Sequence, residues 1–107
     1  MTKYKLYFSR MIEENKVVFD EFTKKHLEYS IDQEKNQEDF NKFGEKILTI
    51  IKIWEDRLCK SSEGSGYGKF TGNLAEKFQE EVRSHFPLID HIGIIVEPKM
   101  LIKRIRL

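Results

Sequence analysis

Residues 3–29 contain neither glycine nor proline, and their apolar side chains recur at alternating steps of four and three. Tyr4, Phe8, Met11, Asn15, Val18, Phe22, Lys25 and Tyr29 fall on one line of that spacing, which winds onto a single stripe of an α-helix. Ile12, Phe19 and His26 widen the stripe, while Glu13, Glu14, Lys16, Asp20, Glu21 and Lys24 fall largely on the other side. A helix with one apolar stripe must bury it against another element, so the chain is committed to helix packing from its first turn.

The partner follows directly. Phe40, Phe43, Ile47, Ile50, Ile51, Trp54 and Leu58 repeat the same steps and predict a second helix over 33–61. Residues 30–39 between the two are almost entirely polar. Ser30 with Gln33 has the spacing of a capping box and Asp32 is a rival cap, which places a turn at 30–36; a continuous helix is the alternative. A short connection makes antiparallel neighbours. The expected core is Phe8, Met11, Val18, Phe22, Phe40, Phe43, Ile47, Ile50, Ile51, Trp54 and Leu58. Two residues interrupt this pattern. Gly44 weakens the second helix by about 1 kcal/mol relative to Ala, unless it admits the first helix closely. Asn15 sits on the apolar stripe, where a polar residue can fix register and oligomeric state; the alternative is an exposed or locally bonded side chain.

Ser61-Ser62-Glu63-Gly64-Ser65-Gly66-Tyr67-Gly68 ends the second helix with three glycines at alternate positions. A third helix over 72–86 follows, capped by Thr71 or Asn73, with Leu74, Phe78, Val82 and Phe86 on its apolar face and Pro87 as its stop. Residues 89–96 are rich in β-branched side chains and read as a buried strand, 97–99 as a turn and 100–107 as a second strand. The expected class is therefore α+β, mostly α. It is a single domain over 1–107 with a long antiparallel helical hairpin (3–61), a Gly/Ser-rich loop (62–71), a third short helix (72–86) and a C-terminal two-stranded β-hairpin (88–107). A length of 107 residues leaves no room for a second core.

Composition excludes more chemistry than it proposes. Nineteen basic residues against eighteen acidic leave a net charge of +1, so no global field draws the chain onto nucleic acid or a membrane. Apolar runs such as Ile94-Ile95-Val96 are far short of the roughly 20 residues of a membrane span, and the spaced apolar residues after Lys3 and Lys5 form no signal-peptide core. Cys59 is the only cysteine, which excludes an intrachain disulfide and fits a reducing, cytoplasmic setting. Gly64 to Lys69 departs from a phosphate-binding loop, because only three residues separate Gly64 from Gly68 and Phe70 follows Lys69. Asp90 with Glu97 and Lys99 has the residue types of a metal-dependent nuclease, but the two carboxylates would stand at opposite ends of one strand, over about 20 Å apart. His85, Asp90 and His91 flank one turn without a fourth metal ligand. No catalytic residue, metal site or cofactor is assigned.

Two functions remain. The first is a non-enzymatic protein-interaction module acting through a helical, aromatic-rich face, with Phe8, Asn15, Phe22 and His26 as candidate interface residues. The second is a small nucleic-acid-binding protein or regulator contacting phosphates through Lys60, Lys69, Lys99, Arg104 and Arg106, with Tyr67 as a stacking residue. The first is preferred, because the basic residues outside the last strand do not cluster in sequence. A homodimer is expected as well as an unidentified protein partner. Two strands are marginal alone, eight Phe, four Tyr and one Trp sit on elements that look too extended to enclose them, and the helix stripe has heptad spacing. Pairing through the long helices, giving a four-helix bundle, is favoured over pairing through the last strands, whose basic residues would repel a copy.

Overall fold

The first apolar stripe winds onto helix in two pieces. In the computed structural model, which describes residues 2–63 and 71–95, α1 (Lys3–Glu14) and α2 (Lys16–Ile31) are divided at Asn15. Asn15 leaves helical geometry at φ −123° and ψ 34°. Its backbone N–H and its side-chain Nδ2 both donate to the Met11 carbonyl, at 3.1 and 3.0 Å. A short amide side chain thus competes for a helical acceptor and bends the rod. Asp32 makes the second break. Its carboxylate accepts the Lys35 N–H at 3.2 Å, the bond of an N-cap to the third residue of α3 (Gln33–Glu63). Asn36 closes the same turn by donating to the carbonyls of Glu28 and Asp32. Ser30 bonds back to Leu27 and plays no part in the cap.

α2 and α3 run antiparallel, as the Lys25–Asp39 ion pair at 2.9 Å and the Tyr29–Phe40 ring stack at 4.1 Å require. At the far end Tyr7 of α1 meets Trp54 edge-on. α4 (Thr71–His85) returns along α1 and α3: Phe78 and His85 contact Phe8, and Gln79 donates to Glu55. Pro87 stops it as expected. Phe86 then inserts between Phe19, Phe22 and His26, and the chain continues over α2 and α3 as a strap.

That strap corrects the expected class. No strand occurs among the described residues, and the fold they form is all-helical. The segment 89–96, expected as the first strand, begins with a 3-10 turn at Ile89–His91 and turns again at Gly93, whose φ is +100°. The second expected strand, 100–107, and most of the Gly/Ser-rich loop lie outside the described residues. The β-branched residues serve packing on helices: Ile89 is buried and Ile92 rests on Gly44. Two grounds for self-association are weakened at the same time. The expected sheet is not formed by 89–95, and the chain encloses Phe8, Phe19, Phe22, Tyr29, Phe40, Trp54, Phe78 and Phe86 itself.

The core runs along the hairpin as one cluster, with Val18, Phe43 and Ile50 only half-buried at its edge. The molecule measures 59 × 30 × 18 Å, and its radius of gyration of 17.0 Å exceeds the roughly 13 Å of a spherical domain of this length. Gly44 has a definite role in this shape. A Cβ there would lie 2.6–2.7 Å from three carbons of Ile92, and a β-branched side chain cannot swing away without leaving its seat. Gly44→Ala gains about 1 kcal/mol of helix propensity and unseats Ile92. The expected result is faster amide hydrogen exchange at Gly93 and Ile92; unchanged protection there would contradict the assignment.

Candidate interaction surface

One side of the hairpin is covered, and hydrogen bonds fix the cover. Gln37, a buried polar side chain at 4% exposure, accepts the Tyr29 hydroxyl at 2.6 Å. Its Nε2 donates to the His91 carbonyl at 2.9 Å and to Asn41 Oδ1 at 2.8 Å. Tyr29 has one hydroxyl proton and gives it to Gln37, so His91 Nδ1, 3.0 Å away, donates to the phenol oxygen. Burial pushes the Tyr29 phenol above its ordinary pKa and keeps it neutral. Asn41 holds the strap by both ends of its amide: Oδ1 accepts the Gly93 N–H at 2.7 Å and Nδ2 donates to the Ile94 carbonyl at 2.8 Å. Side-chain amides of α3 thus satisfy the backbone that a neighbouring strand would otherwise serve.

His26 fastens the start of the strap. Its Nε2 accepts the Leu88 N–H at 3.1 Å, and its ring lies among Phe22, Phe40 and Phe86. The acceptor role requires a ring without a proton on Nε2, and burial pushes its pKa below the ordinary value. Where α4 passes the Asn15 break, an open groove of about 840 Å³ remains. Phe8, Ile12, Phe19 and Phe86 line it, and its rim carries both signs in Lys5, Lys16, Asp20 and Glu81.

The other side of the hairpin is different. Among the described residues, α4 and the strap make hydrogen bonds and ring contacts to Phe8, Phe19, Phe22, His26, Tyr29, Gln37, Asn41 and Glu55, and Ile92 packs on Gly44. Around the seam, helical spacing turns Tyr7, Val18, Phe43 and Ile50 the opposite way. All four are half-buried. Val17 beside them is 82% exposed and Ile53 is also exposed. Two cations lie over aromatic rings on this side: Lys46 Nζ is 5.5 Å from the Phe43 centroid and the Arg57 guanidinium 4.8 Å from that of Trp54. The result is an apolar strip of the seam with charged rims.

The residues singled out in the sequence are distributed unevenly over this surface. Phe8 and Phe22 lie in the chain's own core, Asn15 bonds its own helix, and His26 serves the strap. Lys60 is exposed on α3, while Tyr67, Lys69, Lys99, Arg104 and Arg106 lie outside the described residues. His85, Asp90 and His91 do not converge: they engage Glu81, Arg83 and Tyr29 respectively. No group of three His, Cys, Asp or Glu suited to a metal ion occurs among the described residues, and no described helix is long and apolar enough to cross a membrane. The sequence reading missed Tyr29, Gln37 and Asn41 as a clamp; the signal available was two amides four residues apart beside an apolar stripe. Comparison of the chain with protein-family models, with curated proteins and with solved structures gave no match.

The His26 bond sets a pH dependence. With its folded pKa below the unfolded value of about 6.5, the unfolded chain takes up the proton first. The contribution is complete above about pH 7 and is lost as pH falls below 6.5. Thermal unfolding across pH 5–8 is expected to show this decline, and His26→Leu to make it shallower. An unchanged slope in the variant would contradict the role of His26.

Proposed function

We propose that this protein is a small, non-enzymatic, cytoplasmic interaction module that works through the open side of its helical hairpin. One observation carries the reading: the strip of Val17, Val18, Phe43, Ile50 and Ile53 that α4 and the strap leave clear. An apolar strip flanked by charges is the pattern of an interface with an apolar centre and a polar rim. Phe22 supports it from beneath, stacking on Phe40 and Phe43 of α3, while Phe8 packs on Phe78 and His85 of α4. The lone Cys59 supports the cytoplasmic setting.

Self-association belongs to the same reading. The seam keeps heptad spacing along both arms of the hairpin, and helices of that spacing pair between chains as readily as within one. Two hairpins laid open side to open side form a four-helix bundle. Sedimentation equilibrium over the micromolar range is expected to show the 12.8 kDa chain passing reversibly into a species of twice that mass. A monomer at every concentration would contradict self-association.

A further inference from the structure

We infer that the second copy docks with its two-fold axis parallel to the helices, so that α2 of one protomer lies over α3 of the other, and that Glu21 facing Lys42 and Lys46 selects this arrangement. The inference rests on the self-association reading above and adds the geometry and the residues that determine it.

The rims of the open side differ in sign. On the α1–α2 rim, helical spacing places Glu14 and Glu21 on either side of Val18. On the α3 rim the same spacing beside Phe43 gives Asp39, which is paired with Lys25, and Lys46; Lys42 precedes Phe43 in the chain and lies further toward the outer edge. Glu14, Glu21, Lys42 and Lys46 are exposed, and none of these four takes part in an ion pair among the described residues. The pairing of Lys25 with Asp39 and of Phe22 with Phe43 fixes the levels along the hairpin. Glu21 stands level with Lys42 and Lys46, and Glu14 about two turns further along.

Two symmetric ways exist to lay one open side on another. An axis across the helices at that level stacks α3 on α3 and brings Lys42 of each protomer against Lys46 of the other. An axis along the helices stacks α2 on α3 at unchanged level, which brings Glu21 of each protomer to Lys42 and Lys46 of the other, twice by symmetry. It also makes every neighbouring pair of helices in the bundle antiparallel. Val18, Phe43 and Ile50 then meet their counterparts between the charged rims, with Val17 beyond Glu14 and Glu21. Arg10 and Arg57 fall near one level at the opposite end, and their repulsion confines the contact to the α2 half. The patch is small beside the interfaces of permanent dimers, so the complex is reversible.

Charge exchange tests this directly, with association measured by sedimentation at low salt and folding checked by circular dichroism. Glu21→Lys and Lys46→Glu are each expected to weaken dimerisation about tenfold, and the double variant, which restores opposite signs between positions 21 and 46 while Lys42 stays basic, to recover it in part. Lys42→Glu provides a second basic position that does not disturb the Lys46–Phe43 contact, and is expected to behave as Lys46→Glu does. Tighter association of Lys46→Glu or Lys42→Glu alone would overturn the geometry in favour of α3 on α3. A dimer indifferent to all four variants would overturn it while leaving self-association intact. A wild-type chain that remains monomeric would overturn both.

Discussion

Phe22 brings α2, α3 and the start of the strap together at one ring. Its fully buried ring stacks on Phe40 and Phe43 of α3, and meets Phe86 and His26 edge-on. Aromatic pairs in such arrangements add about 0.5–1.5 kcal/mol beyond the area they bury, and here they share one ring. The stack fixes the register of the hairpin, and the position of Phe86 fixes where α4 ends and the strap begins. The direction of the strap over α2 and α3 follows from there.

A two-helix hairpin has two sides; α4 and the strap pack on one of them, where Leu48 stays exposed along with Ile94 and Ile95 of the strap itself. α4 closes one half of that side with apolar contacts. The strap closes the other half with a polar clamp in which each donor of Gln37 and Asn41 reaches a backbone or amide oxygen. Buried amides are costly when unpaired, so this clamp makes the covered side specific as well as stable. Helix propensity and burial alone leave the opposite side half-exposed, with cations laid over Phe43 and Trp54. The proposed function lies in that asymmetry.

The helical part of this arrangement was legible because its signals are local. A four-three spacing specifies a helix stripe, Asp32 caps α3, and Pro87 forbids continuation of α4. The break at Asn15 was not foreseen: the spacing gives one continuous helix with Asn15 as a register determinant or a locally bonded side chain, and the bend depends on the Met11 carbonyl it captures. The strap was misread as a strand because β-branched residues favour extended backbone wherever they pack on a surface. Which surface they pack on is decided over more than forty residues of separation, by Gly44 under Ile92 and Asn41 beside Gly93. The candidate site was legible only in part for the same reason. The stripe predicts which residues face inward, whereas the side left open depends on where α4 returns. Phe8 and Phe22, rightly expected in the core, were therefore also offered as interface residues, while Val18, Phe43 and Ile50 were assigned wholly to the core and are half-buried at its edge.

The claim that one side of the hairpin is closed within the chain and the other meets a partner can be examined residue by residue. Amide chemical shifts of the uniformly labelled protein, followed from dilute to concentrated solution, report where association occurs. The account predicts that concentration-dependent changes fall on residues 14–21 and 42–53 and leave the strap at 88–94 unmoved. Changes centred on α4 and the strap, with 14–21 and 42–53 silent, would contradict it.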